Sequence, residues 1–349
     1  MSPHEEPPPT LREIAKAAGA SLSTVSCALR GKPGVSEKKK EQILRIARKM
    51  GWRQNPLVSA WLAHVRSNKQ HTQNLTLGYI VSDAEGLDHY FNSPVYQSYH
   101  KGALERAHVL GFQLEIFHFE ATGGGRLSQI LHSRATPGII VAPLRKPGAL
   151  ADLNWQAFSC AAIAHSLEKP RIHRAANDHF HSVVLAMDRL RELGYKRIGL
   201  ILDKNTDVRS GGTFSGAYWT VAHKMSKTPM PPFLPDNEKS RFELFRDWYQ
   251  KNRPDAVIGF ELVRFWLDRL ELKIPEEIGY ANLDWKPSYG PEAGVDQKTE
   301  LIGAAAVDLV TSQIFRNERG IPQDQKLILI ESEWVDGPTA VKQGRTRHA

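Results

Sequence analysis

The chain reads as an α/β protein in which a small all-α helix-turn-helix head precedes a core of doubly wound parallel sheets. Three observations predict this. Residues 10–50 carry apolar positions at helical spacing, interrupted by turn residues. Residues 75–337 alternate short apolar runs with helical segments, the pattern of β-α units on open sheets. Positive charge is concentrated at the front: residues 10–70 hold 13 Lys and Arg against three Glu, a balance of +10, whereas the whole 349-residue chain is +8. A basic patch confined to one module suits a phosphate backbone, because counterion release makes such a patch bind double-stranded DNA.

In the head, Thr10 is placed as a helix N-cap, and Glu13 three residues later completes a capping box. Leu11, Ile14, Ala15 and Ala18 repeat at helical spacing, and Gly19 supplies a tight exit. Ser21 is placed to cap a second helix with Leu22, Val25 and Leu29 as its inner stripe. Its remaining surface, Ser23, Thr24, Ser26 and Cys27, is short and polar, as entry into a major groove requires. A third helix from Ser36 to about Met50 is expected to close the core with Ile43, Leu44, Ala47 and Met50. Asn55 and Pro56 then suit the N-cap and first position of a further short helix running to about Arg66. A helix this short is marginal alone, so it is expected to form only against DNA and a second copy of the chain.

Beyond the polar joint at 67–74, strands are predicted at 75–81, 112–119, 138–142, 160–164, 197–202, 256–260, 278–283 and 327–330. Helices are predicted at 95–110, ending at Gly111, and at 182–193, closed by Gly194. In such sheets ligands sit at the carboxyl ends of the strands.

Other functions find little support. No stretch approaches the ~18–20 apolar residues of a membrane span. Residues 1–9 are acidic and Pro-rich, an expected disordered leader rather than a secretory signal, which makes the cytoplasm the expected location. Cys27 and Cys160 offer neither a disulfide framework nor a metal spacing. Gly123-Gly-Gly125 lacks the Lys-Ser/Thr of a phosphate loop, and His179-x-His181 is a weak metal pattern, so no cofactor, metal or catalytic residue is predicted.

Thr10-Leu-Arg-Glu-Ile-Ala-Lys-Ala-Ala-Gly-Ala-Ser21, Ser23-Thr-Val-Ser26, Gly34-Val-Ser-Glu37 and Gly51-Trp-Arg-Gln-Asn-Pro-Leu57 together resemble the lactose-repressor (LacI/GalR) family of bacterial transcription regulators. Weaker signals follow at Ala176-Asn-Asp-His-Phe180, Leu193-Gly-Tyr-Lys-Arg-Ile198 and Val295-Asp-Gln-Lys298. The resemblance implies a DNA-binding regulator, most often a repressor, that reads a palindromic operator as a homodimer and answers to a sugar-like effector. It implies a head at 10–54, a hinge helix and linker at 55–74, and a periplasmic-binding-protein-like core at 75–337, followed by a basic tail at 338–349. Lobe 1 is expected at about 75–168 and 298–330, and lobe 2 at about 169–297 and 331–337, with chain crossings near 165–172, 285–298 and 330. The tail has no leucine heptads, so a dimer rather than a coiled-coil tetramer is expected.

For the DNA interface the resemblance implies base reading by Leu22, Ser23 and Cys27, where Cys27 replaces a longer polar residue common in the family. Ser21, Thr24, Ser26 and Asn55 fall at phosphate-contacting positions, and Thr10 and Arg30 join the expected contact set. In the hinge, with Leu57 and Val58 beside it, Trp61 occupies the wedge position; Leu62 takes that role if the helix is rotated, and Trp61 packing on the core is the remaining alternative. For the effector, Phe91, Asn92, Arg209, Phe214, Asp284 and Trp285 are candidates, while Thr213 and Glu261 stand where the family usually carries Arg and Asn-Asp. Those two departures put the usual sugar contacts in question. The competing functions for such a core are a solute-binding receptor, which needs an export signal and no basic head, and an enzyme, which needs a catalytic constellation.

Overall fold

The computed structural model describes residues 11–29, 35–50, 75–144, 150, 152–236 and 241–343. The chain divides into two compact units, residues 1–72 and 73–349.

In the first unit, α1 (Leu11–Ala18), α2 (Leu22–Leu29) and α3 (Glu37–Lys49) form the expected three-helix head. Gly19 takes φ +55°, and the Ala20 N–H donates back to the Ala15 carbonyl at 3.1 Å, ending α1 as predicted. Ser21 Oγ accepts the Thr24 N–H at 3.1 Å, which caps α2. Ile14, Val25 and Ile43, one from each helix, are fully buried. Ala15, Ala18, Ala28 and Ala47 fill the space between them, and side chains this small let the three axes approach closely. The Lys39 ammonium donates to the Ala18 carbonyl at 3.1 Å, tying α3 to the end of α1. Met50, expected in this core, is 37% exposed because α3 ends one residue earlier.

The second unit holds two sheets. β1 (Thr76–Val81), β2 (Gln113–His118), β3 (Gly138–Val141), β4 (Ser159–Ile163) and β5 (His173–Asn177) belong to the first, and β6 (Ile198–Ile201), β7 (Ala256–Gly259), β8 (Gly279–Asn282) and β9 (Gly294–Asp296) to the second. β10 (Leu327–Ile330) returns to the first sheet and β11 (Glu333–Val335) to the second. The orders are β10-β5-β4-β3-β1-β2 and β11-β9-β8-β7-β6. Every pairing is parallel except β11 with β9. The described helices of this unit are α4 (Leu87–Phe91), α5 (Pro94–Val109), α6 (Phe119–Thr122), α7 (Gly124–Ser133), α8 (His179–Glu192), α9 (Lys204–Arg209), α10 (Thr213–Met225), α11 (Arg241–Asn252), α12 (Glu261–Arg269) and α13 (Thr299–Arg316).

Helices α5 and α13 pack so tightly that glycine is required on both. A Cβ at Gly102 would collide with the Glu300 carbonyl, and one at Gly303 with the Tyr99 carbonyl.

Three strands lie outside the predicted apolar runs. β5 opens on His173-Arg174, yet all five of its residues are buried. Carbonyls of Ala164 and Leu167 accept the Arg174 guanidinium, so a charged residue sits inside a central strand and breaks the apolar run that would betray it. β9 and β11 are only three residues long. Because β5 stays in the first sheet, the first crossing falls after Asn177 rather than near 165–172; the others fall at 296–299 and 330–333.

Candidate ligand cleft and nucleic-acid interface

A cavity of about 380 Å³ opens at the carboxyl ends of the strands of both sheets. That volume suits a small molecule. Its first side is formed by Val95, Tyr96 and Tyr99 of α5, Pro143 and Leu144 after β3, and Ala164, His165 and Ser166 after β4. Its second side is formed by Thr206, Arg209, Ser210 and Phe214 after β6, Phe260 after β7 and Asp284 after β8. His179 and Gln297 complete the lining where the chain crosses between the sheets. Each loop begins where a parallel strand ends, so the fold itself delivers polar and aromatic side chains to one place.

Asp284 is the polar group most ready for a ligand. Its Oδ1 is buried and accepts no hydrogen bond among the described residues. The Lys286 ammonium lies 3.7 Å from that oxygen and 3.7 Å from Asp296, while it donates to Thr299 Oγ1 at 2.7 Å. Burial pushes the Asp284 carboxyl up to about 6, against the opposing pull of Lys286. An unmet buried acceptor costs free energy until a donor arrives, and a ligand hydroxyl is such a donor.

Both imidazoles in the cavity are neutral at pH 7. Burial takes His165 down to about 4, helped by the Arg174 cation, and takes His179 down to about 3, helped by His165. His179 stacks on Phe214 with centroids 4.3 Å apart, which builds a flat apolar wall beside polar edges. Its Nδ1 lies 3.0 Å from Asn177 Oδ1. Asn177 donates to Ser332 Oγ at 2.7 Å and to the Ile330 carbonyl at 3.1 Å, which links the first and third crossings. At the second crossing, Gln297 donates to the Leu283 carbonyl at 2.7 Å. Hydrogen bonds therefore join the cavity lining to the crossing strands.

Of the residues singled out from sequence, Arg209, Phe214 and Asp284 line the cavity. Phe91, Asn92, Thr213, Glu261 and Trp285 do not. The Phe91 ring packs edge-on against Tyr90 and His100, and Asn92 is solvent-exposed beyond α4. Thr213 turns its hydroxyl to the Ser210 carbonyl at 3.1 Å, and Glu261 is exposed at the start of α12. Trp285 is half-buried with its indole N–H unpartnered among the described residues. His165, His179, Tyr96 and Gln297 also line the cavity without being expected from sequence, although His179 and Gln297 lie within segments that resemble the family. No group of three His, Cys, Asp or Glu among the described residues could hold a metal, and no described helix is long and apolar enough to cross a membrane.

In the head, Ser21 caps α2 and Leu22, Ser23, Thr24, Ser26 and Cys27 lie along that helix. Cys27 is half-buried. Thr10, Arg30, Asn55, Leu57, Val58, Trp61 and Leu62 lie outside the described residues.

Residues 10–55 match the family described as bacterial regulatory proteins, lacI family. The NTD biosynthesis operon regulator NtdR of Bacillus subtilis is 25% identical over 207 residues, which is 56% of this chain and 55% of the relative; the alignment thus spans about half of each. Among solved structures, the transcriptional regulator CelR–cellobiose complex superposes with a TM-score of 0.59 at 19% identity, covering 95% of this chain and 99% of that one. The lac repressor dimer bound to operator and the anti-inducer ONPF gives 0.55 at 18% identity, covering 96% and 100%. These structures share the fold.

Proposed function

We propose that this chain is a DNA-binding transcription regulator of the lacI type, a repressor whose operator affinity is set by a small molecule in the cleft. The match of residues 10–55 carries this reading. Basic charge gathered on the same segment and the Ser21-capped α2 support it. The chain is read as a cytoplasmic homodimer without enzymatic activity, each protomer taking one half of a palindromic operator. Cellobiose bound to CelR supports a sugar-like ligand. Stacking surfaces and neutral hydrogen-bonding edges in the cleft fit that chemistry.

The coupling is a two-state equilibrium. A ligand that bridges Asp284 and His179 favours one relative placement of the two sheets, and the Asn177–Ser332 bonds carry that preference to the crossings. Coupling free energies of this kind run to about 1–3 kcal/mol.

Selection from a random duplex pool tests the reading. The full chain is expected to enrich a palindromic site whose affinity falls steeply with salt. A fragment of residues 75–349 is expected to fold and lose that binding by orders of magnitude. Sequence-specific binding retained by the fragment overturns the assignment of DNA recognition to the head.

A further inference from the structure

A second cavity, of about 360 Å³, shares His165 and Arg209 with the first and is otherwise lined by Leu167, Glu168, Arg171, Arg174, Gln325 and Leu327. Its lining carries three guanidinium groups and one carboxylate. Arg209 stands at the junction of the two cavities, and among the described residues its Nη2 donates to Thr206 Oγ1 alone, at 3.3 Å. Arg174 is buried; two of its N–H donors meet the carbonyls of Ala164 and Leu167, which leaves the rest of its five for other partners. Among the described residues, no ion pair joins Arg171, Arg174 or Arg209 to a carboxylate. Glu168, the lone acidic residue of the lining, is exposed, and His165 is neutral at pH 7. Burial and then the neighbouring Arg171 cation hold Arg174 below its ordinary range. Three guanidinium groups against the single exposed carboxylate of Glu168 leave the lining net positive, and an anion relieves that excess while accepting charge-assisted, forked hydrogen bonds.

We infer that the effector carries an anionic group, phosphate or carboxylate, seated on Arg171, Arg174 and Arg209 in this second cavity. Its neutral, hydroxylated part then lies in the first cavity against Asp284 and the His179–Phe214 wall. The inference rests on the reading of the cleft as a ligand site and narrows it to sugar acids or sugar phosphates.

The test uses the full-length chain and inorganic phosphate as the probe, with ionic strength held constant by potassium chloride. Phosphate is expected to raise the unfolding temperature saturably. Arg171→Gln and Arg209→Gln are each expected to weaken that response by about tenfold. Arg174 is left intact because its carbonyl contacts hold β5. Glucose, gluconate and glucose 6-phosphate are then compared at equal concentration. Either anion outdoing glucose supports the inference, and the better of the two identifies the carboxylate or the phosphate class. A phosphate response that is absent, or equal in parent and variants, overturns it, as does a larger effect of glucose than of both anions. Binding of the ligand-free parent to its selected duplex is measured in parallel. Its loss would sink the regulator reading alone, whereas a flat phosphate response beside normal duplex binding sinks only the anionic-group inference.

Discussion

The head and the cleft differ in how their residues come together. α1 to α3 lie within 39 consecutive residues, from Leu11 to Lys49. Their core is set by apolar spacing, a serine cap and a glycine exit that can be read along the chain. The cleft instead draws on residues from Val95 to Gln297, brought together by α5 and by the ends of several different strands. A local module announces its chemistry in local spacing. A site assembled by topology announces only the strands that deliver it.

That contrast explains what was legible. Most strands were found because parallel sheets bury both faces and so read as apolar runs. β5 escaped because Arg174 interrupts such a run, its charge met by the carbonyls of Ala164 and Leu167. Asp284 is legible as a carboxylate at a strand end, and Arg209 and Phe214 as polar and aromatic residues following the β6 strand. His165 was not, because it follows β4 in a loop with no motif of its own; only the pairing of β4 between β3 and β5 brings it to the cavity. Phe91 carried a plausible signal, an aromatic near a loop, but its ring packs edge-on against Tyr90 and His100 instead of entering the cavity.

The largest expected effect lies where head and core are joined. If Trp61 wedges a central base step, it pays an unstacking cost of a few kcal/mol in return for a bent operator. Trp61→Ala is then expected to lower operator affinity and reduce bending together, while ligand binding in the cleft stays at the parent's level. Leu62→Ala is expected to do less. Permuted-duplex gel mobility reads the bend, and a larger loss with Leu62→Ala assigns the wedge to leucine. Parental affinity and bending in both variants would place Trp61 against the core.

Within the cleft, Asp284→Ala removes the unmet acceptor, and the affinity of a hydroxylated ligand is expected to fall by about 1–3 kcal/mol. Since the carboxyl is held up to about 6, the same ligand should bind the parent more weakly as the pH falls through 6, when Asp284 takes up its proton. Calorimetry at pH 7.5 and 5.5 checks both statements. A pH-independent affinity would remove Asp284 from the set of ligand contacts.

The matching change in the head is Cys27→Arg on α2. A long donor one turn beyond Ser23 is expected to shift the preferred base at one half-site position, with discrimination of about 1–3 kcal/mol. Duplex selection with both proteins reads this directly. An unchanged consensus would place Cys27 off the base-reading face and break the local logic attributed to the head.

The smallest effect concerns the pH dependence of stability, and its sign follows from the cleft histidines. His165 and His179 are held down to about 4 and about 3, against an ordinary value of 6.5. As the pH falls through 6.5 the unfolded chain takes up protons on both while the folded chain does not. Stability fully present above 6.5 is thus lost progressively toward pH 4. Asp284 acts in the opposite sense: held up to about 6 against 3.8, it binds a proton in the folded chain first and restores part of the loss between those values. Two imidazoles against one carboxyl leave a net fall. The unfolding temperature of the ligand-free chain should therefore drop from pH 7 to pH 5. His165→Gln is expected to flatten that drop, because glutamine does not titrate and keeps an amide able to hydrogen-bond. Asp284→Asn is expected to steepen it by removing the opposing term. Parallel slopes for all three proteins would mean that the cleft is open to water in solution, and that burial there no longer sets these protonation states.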